Sequence, residues 1–406
     1  KIMDVGSSVI MPGLIDVHVH LNEPGRTEWE GFETGTKAAA AGGVTTLIEM
    51  PLNASPVTTS EANFRVKIRA SEGKLSVNCG FWGGVVPDNI SELDNLLASG
   101  VFGLKAFLTH SGIDEFPNTA APELEKAMVL CRQFGVPLLV HCELENNHVP
   151  VLSQDQPQRY AQYLQSRPDQ WEVDAVTLMI ELCRKTGASL HIVHVSSALC
   201  LPIISAAKQE GLPVTAETCP HYLFFSADEI PDGATAFKCA PPIRSKENNM
   251  LLWEALGNGT LDFIASDHSP APPQLKKTDT GNFKEAWGGI AGLQLTLPVV
   301  WTMASALGYG LEQVADWLSL APARFIAKEK QLGKISPGFR ADLVVWSPET
   351  KFLCTEKSLY HRHKLSPYMG KTLSGVVEKT FLGGMLVYDG GHFPNQNYGS
   401  VLMRTS

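Results

Sequence analysis

The sequence predicts an α/β chain: a (β/α)8 TIM-like barrel with a small β-sandwich-type module formed by the two chain termini. Three observations predict it. Eight short apolar runs alternate with helical patterns, several of those runs end in a polar residue, and the texture turns strand-like and turn-rich after Lys334.

The runs are residues 13–19, 44–49, 79–85, 103–108, 137–141, 189–194, 214–218 and 262–265. Helical periodicity fills several intervals, as at 122–134 and 174–186. A doubly wound open sheet is the competing architecture, but no Gly-rich dinucleotide loop follows the first run. Beyond the barrel, residues 338–346 and 375–386 read as short strands between Gly, Pro and Ser turns. Such a module needs several strands for stability, and residues 1–9 offer another. The expected division is residues 11–334 for the barrel, with 1–10 and 335–406 for the module.

Composition supports a folded enzyme-sized chain. Of 406 residues, 44% are hydrophobic and 18% charged, enough to bury a large core. The net charge of -9 is spread along the chain and no basic run marks a phosphate footprint, which argues against nucleic-acid binding. The eight cysteines form no C-x-x-C pair and are expected as reduced, buried thiols. No apolar stretch is long enough to span a bilayer, so a soluble intracellular protein is expected.

The chemistry starts at Asp16-Val17-His18-Val19-His20. Residues two apart on a strand share a face, so Asp16, His18 and His20 point the same way, towards the barrel axis. Two neutral imidazoles at a strand end make good zinc ligands. Alone, an H-x-H pair is more often an ordinary polar strand end. Here it has four companions at the ends of other runs: Lys105, His141, His194 and Asp267. Each has an ordinary alternative. The lysine could reach solvent, the histidines could be hydrogen-bonded core residues, and the aspartate could cap a turn. Five polar strand endings at the face where barrels carry their sites are hard to assign separately to such roles.

Residues 13–20 (Gly-Leu-Ile-Asp-Val-His-Val-His), followed by Lys105, His141, His194 and Asp267, resemble the cyclic-amidohydrolase branch of the amidohydrolase superfamily. That branch includes dihydroorotases, dihydropyrimidinases (hydantoinases) and allantoinases, and the resemblance spans essentially the whole chain. It implies two divalent metals, zinc being the expected ion. His18, His20 and Asp267 would hold the more buried metal, and His141 and His194 the more exposed one. Lys105, carboxylated on its amine, would bridge both. It further implies that metal-activated water attacks an amide carbonyl, with Asp267 as general base and then acid to the leaving nitrogen. A homotetramer is also implied, although no stretch of the sequence specifies an interface.

The choice of ring rests on other positions. Dihydroorotases carry an arginine where this chain has Asn22, and that fork grips the substrate's carboxylate. Dihydropyrimidinases carry a tyrosine five residues after the bridging lysine, where this chain has His110. Residues 49–53, 105–112 with 115–117, 237–244, 266–270, 287–290 and 363–368 instead resemble the allantoinases, which open the hydantoin ring of allantoin to give allantoate. Allantoin is neutral and rich in amide and urea groups, so a small-molecule site built from amides and backbone suits it. Asn53 is expected to bond the ring, and the backbone at Cys239 and Gly289 to meet the ureido tail. Asn53 is equally readable as a turn former before Pro56, and His221 and His268 as residues that orient loops or ligands. The rivals are hydantoinase, then dihydroorotase. A non-catalytic scaffold of the same fold is disfavoured, because all six ligand positions hold competent residues.

Overall fold

The strands alternate with helices in the order the sequence suggests. The computed structural model describes residues 2–145 and 156–404. After β1 (Val9–Pro12) come the barrel strands β2 (Leu14–Val19), β3 (Val44–Glu49), β4 (Asn78–Phe81), β5 (Gly83–Gly84), β6 (Leu104–Phe107), β7 (Leu138–His141), β8 (Leu190–Ile192), β9 (Val214–Thr218) and β10 (Phe263–Ile264). They pair in parallel as β2-β3-β4 and as β5 through β10. A bridge between Val19 and His268, with the His20 amide donating to the His268 carbonyl at 2.8 Å, joins the two ends. β2 and β3 are buried at every position, as strands covered on both faces must be.

The expected run 79–85 divides into β4 and β5 around Trp82. The Trp82 indole turns inward and donates to the Val17 carbonyl at 2.8 Å. At Gly84 a Cβ would lie 2.4 Å from the Phe116 ring, so the chain passes there only without a side chain. Helix Ala121–Phe134 ends on Gly135 in the left-handed conformation, the usual terminator. Helix Asp169–Thr186 starts five residues before the expected 174, because the polar-looking opening turn buries Trp171 and Glu172.

The remaining strands form an antiparallel sheet. β11 (Leu343–Leu353), β12 (Thr372–Leu382) and β13 (Met385–Asp389) join β1 in the order β1-β11-β12-β13. The N-terminal strand therefore begins at Val9 and runs to Pro12, later than the expected 1–9. Only Gly13 separates it from β2, and a Cβ at Gly13 would sit 2.4 Å from Thr45. The stretch 375–386 contains a hairpin turn at Gly383-Gly384, both at positive φ (56° and 82°), which suits a tight two-residue connection. The Thr380 hydroxyl donates to the Ala40 carbonyl at 2.6 Å, docking this sheet on the barrel's first helix.

The last described residues leave the module. Val401 pairs with Cys79 of β4, Gly399 donates to the Leu75 carbonyl at 2.9 Å and Arg404 to that of Gly100 at 3.0 Å. The expected module segment 335–406 thus ends against the N-terminal end of the barrel. Among the described residues no helix is long and apolar enough to cross a membrane.

Candidate metal centre

The strand ends converge. His18 lies on β2 and His20 one residue beyond it, Lys105 on β6, His141 at the end of β7, His194 just past β8 and Asp267 just past β10. All six are buried. The Asp267 Oδ1 atom lies 3.3 Å from His18 Nε2 and 3.5 Å from His20 Nε2. The His194 ring centroid is 5.4 Å from that of His18 and 4.6 Å from that of His141. His194 and Asp267 both hold positive φ, 40° and 43°, a costly backbone for residues with side chains and one that collects at functional sites.

Carboxylates behind the rings aim them. Glu217 Oε1 sits 2.6 Å from His18 Nδ1, leaving Nε2 to face Asp267, and its other oxygen meets His191 Nε2 at 3.1 Å. Glu143 Oε2 lies 2.7 Å from His141 Nε2 and is gripped by the Arg167 guanidinium, whose Nε donates to Oε1 at 2.9 Å. Such outer partners fix the tautomer of a metal-binding imidazole. Burial opposes the charge on both carboxylates, but Arg167 and His141 draw Glu143 down to about 2, and His18 and His191 do the same for Glu217. Neither carboxylate is among the residues expected from the sequence. Glu143 follows His141 by two residues, and Glu217 interrupts an apolar strand, so both left a parity signal. Arg167 lies in a connection and left none.

Burial lowers His20 to about 4 and takes His194 well below its usual range, so both imidazoles are neutral, the form that ligates metals. Burial also opposes ionisation of Asp267, yet the adjoining His18 and the hydrogen bond to His20 hold its carboxyl well below the ordinary range. Lys105 Nζ and His194 Nδ1 are buried without hydrogen-bond partners. One ligand atom from each of His18, His20 and Asp267 lies within 4.8 Å of the others. Buried polar atoms left unpaired are costly, and divalent ions would suit the His18–His20–Asp267 group and the free nitrogen of His194.

A cavity of about 290 Å³ opens onto the histidines and Asp267. Its walls include Leu52, Asn53, His110, Arg167, Lys238, Ala240, Trp287 and Gly289. Asn53, at φ 64°, has its Nδ2 3.4 Å from His20 Nδ1, while its Oδ1 is buried and unpartnered. Gly289 lines the cavity, but its carbonyl accepts from Lys276 Nζ at 2.7 Å and its amide donates to Lys238. Cys239 is not among the lining residues. Its carbonyl accepts from the Tyr163 hydroxyl at 2.6 Å, and Ala240 meets the cavity in its place. His110 lines the mouth, its side chain half exposed and 3.4 Å from Asp114. Asn22 is buried away from the cavity and donates to the Pro270 carbonyl. Asp16 accepts from the Ser266 amide at 3.2 Å, tying β2 to the turn that carries Asp267. His268 accepts the Gly292 amide at 3.2 Å on Nδ1 and orients a loop, as expected. All eight cysteines are free and buried, also as expected.

Comparison with known proteins agrees with this geometry. The profile of the Amidohydrolase family matches residues 9–387. The chain is 49% identical over 403 residues to a "Probable allantoinase" of Oryza sativa subsp. japonica, covering 95% of this chain and 79% of that one. It is 46% identical over 420 residues to the "Allantoinase" of Arabidopsis thaliana, covering 100% of this chain and 83% of that one. Among solved structures, the L-hydantoinase (dihydropyrimidinase) from Arthrobacter aurescens superposes with a TM-score of 0.91 at 29% identity, covering 99% of this chain and 90% of that one. The chain belongs to the amidohydrolase family and, within it, to the allantoinases.

Proposed function

We propose that this chain hydrolyses the cyclic amide of allantoin to allantoate, at a site where His18, His20, Lys105, His141, His194 and Asp267 hold two divalent metals. The observation that carries the reading is the buried cluster of histidines around Asp267, opening onto a cavity of about 290 Å³. His18, His20 and Asp267 would hold one metal, His141 and His194 the other, and a carboxylated Lys105 would supply oxygen donors to the pair. Zinc suits this mixture of imidazole and carboxylate oxygen.

The unpartnered Lys105 Nζ supports that modification. A buried ammonium is costly, and burial draws this amine down to about 8. The neutral amine is the form that adds carbon dioxide, giving a carbamate and releasing one proton. The carbamate replaces a cation without hydrogen-bond partners by an anionic oxygen donor.

When bound, the metals polarise the amide carbonyl and lower the pKa of water. The remaining work falls to the protein. Glu217 and the Glu143–Arg167 pair hold His18 and His141 in the ligating tautomer. Asp267 takes the proton of the attacking water and returns it to the departing ring nitrogen. The Ser269 hydroxyl, 2.9 Å from Asp267 Oδ1, steadies that carboxylate. Asn53 Oδ1 is free to accept a ring N–H, and the wall at Ala240 and Gly289 faces the ureido tail. The tetramer implied by the sequence resemblance belongs to the same reading.

Its test is a panel of allantoin, dihydrouracil and dihydroorotate. Turnover of allantoin well above the other two is expected. Rapid opening of dihydrouracil with none of allantoin would make the chain a hydantoinase instead, the activity named for its structural neighbour.

A further inference from the structure

A second group of metal-binding side chains lies against the first and has no part in the mechanism above. Cys219 follows β9 directly, and His221 lies in the first turn of the short helix Pro220–Phe224. Both sit at the strand end where the barrel carries its chemistry. One ligand atom from each of Cys219, His221 and Asp267 lies within 4.8 Å of the other two. All three residues are buried. His221 is 1% exposed and its Nε2 has no hydrogen-bond partner, an uncommon state for a buried imidazole nitrogen. The helix is anchored rather than mobile: the Tyr222 hydroxyl donates to the Pro241 carbonyl at 2.7 Å, and the Trp253 indole to that of Leu223 at 3.1 Å.

We infer that Cys219, His221 and Asp267 form a second cation site, selective for thiophilic divalent ions, whose occupation inhibits the enzyme. A thiolate, an imidazole and a carboxylate are the donors of a tetrahedral zinc or cadmium site, with water in the fourth position. The neighbouring six-residue set contains no sulfur, so the two sites differ in softness. Binding forms a sulfur–metal bond and releases the thiol proton to solvent, with no redox change. Entry is through the cavity, which Asp267 lines. Asp267 belongs to both groups, so an ion on the cysteine side competes for the carboxylate that must move the proton. The inhibitory consequence rests on the proposed role of Asp267; the binding does not.

The experiment titrates the metal-loaded enzyme with cadmium, following three signals: bound metal, the ultraviolet thiolate-to-cadmium charge-transfer band, and allantoin turnover. The wild type should gain the band as one further ion binds, and lose activity in step. C219S should keep its turnover in the absence of cadmium, lack the band, and need at least about tenfold more cadmium for the same inhibition. H221N should weaken binding while keeping a thiolate band, which serves if C219S does not fold. A C183S control, on helix Asp169–Thr186, should behave as wild type. Uptake of no further ion, a band that survives in C219S, or superimposable inhibition curves for wild type and C219S would overturn the inference. Cadmium binding through Cys219 in a protein that does not open allantoin would leave the site standing and refute the proposed function.

Discussion

At the scale of residues, the site depends on which groups are ionised and which nitrogen each ring presents. In the proposed mechanism Asp267 has two duties, ligand and proton carrier. D267N keeps the size of the side chain but removes the proton acceptor, and kcat for allantoin should fall by at least about 10²-fold. Steady-state kinetics at saturating substrate measures this, and a kcat within a few-fold of wild type would remove Asp267 from the role. Glu217 acts through His18. E217Q should weaken metal retention by about 10–100-fold, read by competition with a chelator, with a smaller loss of turnover once metal is supplied in excess. The six converging positions were legible in the sequence because five are polar residues at or near the end of an apolar run and Lys105 interrupts another. The groups behind them were harder to read. Glu143 and Glu217 resemble ordinary strand-end and strand polarity in the sequence; the structure sets Glu143 2.7 Å from His141, two residues back, and Glu217 2.6 Å from His18 of another strand. The carbonyl of Cys239, in another suggestive segment, accepts from the Tyr163 hydroxyl, a partner from a distant helix that the sequence does not reveal.

At the scale of elements, seven of the eight expected barrel runs each correspond to one strand, and the eighth divides at Trp82. Alternating apolar runs and helical periods are local signals, so they survive in the sequence. Loop architecture is not local. The cavity wall around Lys238–Ala240 and Trp287–Gly289 is held by Lys276, a buried lysine whose Nζ donates to the carbonyls of Lys238, Trp287 and Gly289 at 3.1, 3.0 and 2.7 Å. Nothing in the sequence near Lys276 announces this, because its three acceptors come from two other segments. K276M would remove the Lys276 donor from the Trp287 and Gly289 carbonyls, while the Lys238 carbonyl keeps the Gly289 amide. A loss of about 1–3 kcal/mol in unfolding free energy is expected from urea denaturation. KM for allantoin should rise more than kcat falls, since the wall positions substrate rather than reacting with it. Unchanged KM with unchanged stability would show that the wall holds itself.

At the scale of the whole molecule, the chain closes on itself twice. β1 enters the terminal sheet before β2 opens the barrel, and residues 399–404 return from that sheet to the barrel end opposite the histidines. The change of texture beyond the barrel makes the extra sheet legible, but the returning tail carries no periodic signal that would set it apart from the module. Its fit is tight: a Cβ on Gly399 would lie 2.2 Å from the Val77 carbonyl oxygen. G399A should therefore cost about 1–3 kcal/mol of stability, measured by urea unfolding, while leaving kcat nearly unchanged because the strain is remote from Asp267. Equal stability would mean that the tail is only loosely seated. The central claim is that a divalent-metal centre opens allantoin, and one sample followed through chelation tests it most directly. Allantoin consumption should disappear when bound metal is removed and return when zinc or another divalent ion is restored. Undiminished consumption by protein shown to be metal-free would contradict the account.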